Sequence, residues 1–464
     1  MATKMKTRTV KATLFLSILF FAGFIGPLSA LSTGVSAQSA PLLVYVSASG
    51  SDTTGTGSLA SPYATISHAV SSAAAGTTIV IEPGTYNEMV NISKRLTLES
   101  ASSQPSDTVV NAFGRTYGIE VIGQAASGTV IEGLTVSHAN NHGIFVQDSS
   151  MVTIEYNVVS NNGLSPSACP APPAVPTSPC IQENKAIELT GTSDSTVAAN
   201  TVVNNVADGG IGVADDGPIN PGGLGSGTPN PSIGNIVSGN TVIGNAGGCG
   251  IVVAAYNPGE GVINNVVSSN YVVNGLPGGI VVAADVPHTS AINNSVVDNT
   301  VLNNLIPGVV VHSNTPGDLV SGTNVIGNII SGNAGFGPQT TGIMLIGAIN
   351  GSAIVTDTTI PGNVLHNEHF GILAENATGT SVSSDNAFDH TVSVPVVGAT
   401  ISQLSLSSLS GGLSSLTSTV SSIDSTVSSV NGQVATLSDV SYAALVVAVV
   451  LGLVAIALSV RKRG

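Results

Sequence analysis

The chain has 464 residues, of which 8% are charged and none is tryptophan, while glycine alone contributes 54, so a helix-rich enzyme domain is a poor fit and a corner-rich β structure a good one. Of the 11 basic residues, four lie in Lys4 to Lys11, three in Arg461 to Arg463, and only Lys94, Arg95, Arg115 and Lys185 fall between, against 26 acidic ones. A body this acidic excludes nucleic acid as a partner, because polyanions need clustered Lys and Arg.

Residues 1–37 read as a secretory signal. A basic region precedes an apolar run from Ala12 to about Leu28, and Val35-Ser36-Ala37 offers a small-residue cleavage site. An uncleaved anchor is the alternative. Residues 38–100 form an entry module. Leu43-Val44-Tyr45-Val46 predicts a strand; Ser61-Pro62 predicts the start of a helix with Ile66, Ala69, Val70 and Ala73 on one face and Gly76 at its end. Thr78-Ile79-Val80-Ile81 and Pro83-Gly84-Thr85-Tyr86 supply a strand and a turn.

Residues 101–397 form the repeats, and from about Ser232 to Phe388 one phrase keeps returning. An asparagine precedes a β-branched or aliphatic run, as in Asn240-Thr241-Val242, Asn270-Tyr271-Val272, Asn299-Thr300-Val301, Asn328-Ile329-Ile330 and Asn363-Val364-Leu365. A second asparagine follows at Asn245, Asn274, Asn303, Asn333 and Asn367, and then a glycine with an apolar triplet at Gly250, Gly279, Gly308, Gly342 and Gly371. The glycines are 29, 29, 34 and 29 residues apart, a period that marks a repeat architecture. The runs are too short for helices, and Asn and Gly suit the tight corners between them. Stacked rungs would ladder equivalent asparagines and bury equivalent Val and Ile, rising about 4.8 Å per rung over some ten rungs. The fold class that follows is all-β, a right-handed parallel β-helix solenoid; an antiparallel sandwich is the alternative, although it would not need a strict phrase.

The entry segment, with Tyr45-Val46-Ser47, Gly50-Ser51-Asp52, Ser61-Pro62-Tyr63-Ala64-Thr65-Ile66, Gly76-Thr77-Thr78-Ile79 and Pro83-Gly84-Thr85-Tyr86-Asn87-Glu88, resembles the N-terminal cap of right-handed β-helix proteins of the pectate-lyase-like superfamily. With the repeats, the resemblance spans roughly 42–395. It implies the fold; because the superfamily holds lyases, hydrolases, epimerases and binding or structural members, it does not fix an activity. Its lyases pair calcium-binding aspartates with an Arg or Lys base, and its polygalacturonases carry Gly-His-Gly and Arg-x-Lys. This chain has neither motif and no cation between Lys185 and Arg461, which disfavours cleavage of an acidic polysaccharide and leaves a neutral glycan open.

Beyond the repeats, residues 398–440 carry Leu406, Leu409, Leu413, Leu416, Val420, Ile423, Val427, Val430, Val434 and Leu437 at alternating spacings of three and four, the seam of a coiled-coil stalk; a flexible Ser/Thr-rich stalk is the alternative. Residues 441–460 are apolar or small without charge, which predicts one transmembrane helix, and the basic tail 461–464 predicts a cytoplasmic C-terminus with everything before it outside the cell membrane. Cys169 and Cys180 bracket a proline-rich loop that a disulfide could close. Asn91, Asn293, Asn350 and Asn376 are sequons open to glycosylation.

Candidate chemistry lies at the polar residues that end the Gly-Ile strands, read as one column of Asp148, Thr190, Asp215, Tyr256, Asp285, His312 and Glu375. Asp215 and Asp216, with Asp285 nearby, are candidate catalytic carboxylates or calcium ligands; the alternative is solvated turn residues. Tyr256, His312 and Lys185 are candidate ligand-binding residues; Lys185 is the only possible basic catalyst among the repeats, although a surface ion pair with Glu183 or Glu188 is its readier reading. The paired histidines His138/His142 and His366/His369 fall on corners rather than a helix, so no metal centre is assigned and no cofactor beyond calcium is implied. The middle residues of the triplets (Phe145, Glu188, Gly212, Val252, Val281, Val310, Met344 and Leu373) are nearly all apolar or small where an exposed sheet would be polar, which predicts a covering by an insertion loop or a second copy. The functional expectation is a surface-anchored structural, adhesion or glycan-binding module; the alternative is a polysaccharide hydrolase or lyase.

Overall fold

The computed structural model describes residues 43–402, apart from 165–184, 207–208, 218–228, 314 and 349–351. The expected signal 1–37, transmembrane segment 441–460, tail 461–464 and Cys169–Cys180 pair, nearly all of the expected stalk 398–440, and Asn350 lie outside the described residues. Among the described residues, no helix is long and apolar enough to cross a membrane.

The described chain is a parallel β-helix of four sheets. Sheet I has 13 strands, from Leu43–Val46 to Thr400–Ser402; sheet II has 11, from Val90–Ile92 to Val394–Val397; sheet III has 11, from Gly84–Tyr86 to Ala387–Phe388; sheet IV has six, from Ser232–Ile233 to Ala377–Thr378, so the rungs gain a fourth side part-way along. One complete rung runs Ile280–Ala284 in sheet II, Ser290–Ile292 in sheet IV, Ser295–Val297 in sheet I and Thr300–Leu302 in sheet III, before Val309–Ser313 begins the next. The entry strands Leu43–Val46 and Thr78–Ile81 pair in register and are themselves the first members of sheet I.

The entry helix α1 (Ile66–Ser72) starts later than Ser61-Pro62 suggests. The Asp52 carboxylate accepts from the Ala64 and Thr65 amides at 2.8 and 3.1 Å and holds that stretch extended. Glu88 then takes the Ile66 and Ser67 amides at 2.9 and 2.8 Å, satisfying donors that a helix leaves open at its start. Ile66, Ala69 and Val70 are buried, and the helix packs on the first strands of sheets I and II, covering the pairing edge that a first rung would expose.

Asparagine ladders line the core corners from Asn157 onward. In the longest, each side-chain amide donates to the carbonyl oxygen of the next: Asn157 to Asn200, then Asn240, Asn270, Asn299, Asn328, Asn363 and Asn386, at 2.9–3.0 Å. The expected first asparagine of the phrase is thus the ladder residue. The second divides. Asn245 and Asn333 are ladder members with Asn162, Asn205 and Asn304, whereas Asn274, Asn303 and Asn367 stand one residue before the ladder position with φ of 53°, 54° and 51°. They turn the corner in the left-handed region that Asn tolerates.

The glycine of the Gly-Ile phrase has a different cause. A Cβ on Gly308 would lie 2.5 Å from Ile330 Cγ2 and 2.9 Å from the Gly342 carbonyl oxygen, and one on Gly250 2.5 Å from Val272 Cγ1. The chain enters sheet II pressed against the next rung, with no room for any side chain.

Candidate functional site

The outward face of sheet II divides into three zones, because the register places one residue per rung in a column. That column is polar early, with Asn91, Glu120 and Glu188, and apolar from Val252 through Val281, Val310 and Met344 to Leu373.

At the polar end, Asn91 Nδ2 donates to Glu120 Oε2 at 2.6 Å, and burial raises the Glu120 carboxyl against that bond. Beyond it Phe145 stacks on Tyr117 and His142 with centroids 5.2 and 4.9 Å apart. His142 Nδ1 donates to the Lys185 carbonyl oxygen at 2.9 Å; burial holds this imidazole down to about 4, Lys185's charge adding to the effect, so the ring is neutral near pH 7. Lys185 is not the surface residue its charge suggests, being only 2% exposed. One rung on stands Gly212, where a Cβ would collide with Glu188 Oε2 and lie 2.8 Å from Lys185 Cγ; the missing side chain is the space these two occupy.

The expected column of strand-ending residues is not one column. Thr190, His312 and Glu375 share a register line with Gln147, Ala214, Ala254, Ala283 and Ile346, while Asp148, Asp215, Tyr256 and Asp285 fall after their strands end. Asp215 is fully buried, and its carboxylate accepts from the Tyr256 and Asn257 amides at 2.7 and 3.1 Å, tying one rung to the next. Burial pushes it up to about 8 against those bonds. Asp216, also buried, accepts from Gln147 Nε2 at 3.1 Å and from the Gly217 amide at 2.7 Å. Asp285 follows the strand two rungs beyond the one that precedes Asp215, a separation of about 10 Å along the solenoid, and sits 3.3 Å from His312 Nδ1. The three aspartates therefore do not converge, and among the described residues no group of three His, Cys, Asp or Glu side chains is placed to hold a metal ion. Of the histidine pairs, His142 is buried and His366 Nδ1 binds Asp389 Oδ2 at 2.8 Å. The sequon residues Asn91, Asn293 and Asn376 are exposed.

In the middle zone Val252, Val281 and Val310 are buried in an apolar cluster with Tyr256, Val286 and Ile306, and half-buried Cys249 packs against it. Covering residues from the chain itself account for these apolar triplets. Tyr256 belongs to that packing, 3% exposed, rather than to a ligand-facing surface.

The third zone opens. Met344 and Leu373 form the floor of a groove of about 300 Å³, walled by Phe336, Pro338 and Gln339 on one side and by Phe370, Thr341 and Glu375 around the rest. Phe336 is 59% exposed, and Phe370 is held edge-on against His369 at 4.5 Å. Glu375 is the one charged group lining it. The sequence carries a signal for this groove in the single interval of 34 residues, Gly308 to Gly342, among intervals of 29. Asn304 precedes Gly308 by four residues, whereas its ladder partner Asn333 precedes Gly342 by nine. The five added residues fall in 334–340, the loop that raises Phe336 over the sheet.

A parallel solenoid of this register has a matching family profile, described as "Right handed beta helix region", over residues 45–220 and, overlapping it, 114–296. The chain belongs to the right-handed β-helix family. No curated protein matches the sequence. Among solved structures, the β-helix is similar to the A-module of a mannuronan C-5 epimerase of Azotobacter vinelandii, at 15% identity and TM-score 0.48, over 73% of this chain and 94% of that one. A pectate lyase is similar at 16% identity and TM-score 0.39, over 78% and 82% of the two chains. The catalytic domain of an α-1,3-glucanase, in complex with nigerose, is similar at 12% and 0.39, over 78% and 68%. At these identities the likeness is one of fold, and function must be argued from the site.

Proposed function

We propose that this β-helix is a glycan-binding module displayed on the outer side of a membrane, held there by the 441–460 segment, and that the groove between Phe336 and Phe370 is its recognition site. The observation that carries the reading is the groove itself. Two aromatic rings, two apolar floor residues and a few convergent polar groups in about 300 Å³ match the composition of small-ligand clefts, which are mostly apolar with a few orienting polar groups. A sugar ring presents a C–H face that packs on an aromatic ring and an edge of hydroxyls that hydrogen-bonds, and the groove offers both kinds of surface. Recognition is favoured over bond cleavage because the Asp215 carboxylate is engaged with backbone amides and stands about two rungs from Asp285.

The test is a binding screen of the purified full chain against polysaccharides, with product release read on the same samples. Binding without products is expected. Phe336→Ala should weaken the best ligand by about tenfold, the scale of one lost ring contact. Release of shorter glycans, or binding indifferent to Phe336→Ala and Phe370→Ala alike, would contradict the reading.

A further inference from the structure

Building on that reading, the geometry points to a narrower ligand class: we infer that the groove takes a neutral pyranoside and that Glu375 is its specificity-determining residue. Four observations carry this. Glu375 is exposed, lies two residues beyond Leu373 on the same strand (Phe370–Glu375), and is the only titratable group lining the groove. Its backbone is fixed, since its carbonyl oxygen accepts from the Gly347 amide at 2.8 Å and Glu375 pairs in register with Ile346. The other polar groups, Gln339 and Thr341, are neutral. No lysine or arginine follows Lys185 until Arg461, so the groove's own rungs hold no permanently charged cation to compensate an anion.

A carboxylate only accepts hydrogen bonds, and its two oxygens can take two donors side by side. Adjacent hydroxyls of a neutral sugar ring supply such a pair, while the C–H face of the same ring rests on Phe336 or Phe370. A uronate bound in the same cleft would place a second carboxylate within a few ångströms of Glu375 without a cation between them. Like charges at that range disfavour binding by about tenfold or more.

The experiment measures affinities of the full chain for tetrasaccharides of glucose, mannose and galactose and for tetrasaccharides of galacturonate and mannuronate, at low salt. Parent protein, Glu375→Gln, Glu375→Lys and Phe336→Ala are compared, with melting temperatures showing that each is folded. The expected result is at least tenfold preference of the parent for a neutral ligand, a loss of about tenfold in Glu375→Gln, and a gain for uronates in Glu375→Lys. Neutral binding that survives both Glu375 variants yet falls in Phe336→Ala would overturn the role of Glu375 and leave the groove standing. A parent that prefers uronates would likewise overturn the ligand class alone. Failure to bind any tetrasaccharide, or binding unaffected by Phe336→Ala, would overturn the groove reading together with this inference.

Discussion

Replacing Asn270 by alanine should destabilise the solenoid by on the order of 4 kcal/mol, because it leaves several buried groups unpaired that each cost about 1–3 kcal/mol. Asn270 Oδ1 accepts from both the Asn240 amide and the Asn240 side chain, at 2.9 and 3.0 Å. Its own Nδ2 donates to the Val237 carbonyl and to Asn299 Oδ1, both at 2.9 Å. All of these atoms sit in a core corner that water does not reach, so truncation strands them, and the cavity adds to the loss. Asn274, four residues on, is the matched control. It is exposed with φ of 53°, so Asn274→Gly should be neutral or slightly stabilising, glycine accepting that conformation without cost. Chemical denaturation of the two variants checks this, and equal effects would show that the ladder does not hold the rungs together.

The second large effect is a pH dependence centred on Glu368. This residue ends the second ladder, where Asn333 donates its amide and its Nδ2 to Oε1 at 2.9 and 3.2 Å. Burial pushes the carboxyl up to about 7 against those bonds. A folded-state value above the unfolded one means that the folded chain binds the proton more tightly, so stability falls as pH rises from about 4.5 towards 7. The loss amounts to on the order of 3 kcal/mol. Asp215, pushed up to about 8, acts in the same direction over a window extending to pH 8. His142, held down to about 4, acts oppositely and only below about 6.5, where folded stability is lost on acidification. The parent should therefore lose melting temperature between pH 6.5 and 8. Glu368→Gln keeps an acceptor for Asn333 and carries no charge, so its melting temperature relative to the parent should be several degrees more favourable at pH 8 than at pH 5. An equal difference at both values would show that Glu368 does not titrate in the folded chain.

Much of the fold was legible because its phrase repeats. Asn270-Tyr271-Val272 states a corner and an inward valine, and the next rung states them again, so the ladder and the core follow from one phase. Single-residue phase was not legible. Asn303 and Asn304 are adjacent, and nothing in their chemistry says which enters the ladder and which turns the corner. The supposed column of Asp215, Tyr256, Asp285 and His312 failed for the same reason, since strand ends vary by one or two residues from rung to rung. The burial of Lys185 is not legible in the sequence because the space it occupies comes from a glycine 27 positions away, Gly212, and is visible only once the rungs are stacked. The groove left a trace in the interval of 34 residues, but an insertion gives a place and not a shape.

Hydrogen–deuterium exchange of the full chain, with and without the tightest-binding neutral tetrasaccharide, tests the central claim most directly. The predicted result is protection confined to peptides covering 334–346 and 370–376, the loop, floor and rim of the groove. Protection centred on the polar end around Glu120, His142 and Glu188, or an unchanged exchange pattern at saturating ligand, would contradict it.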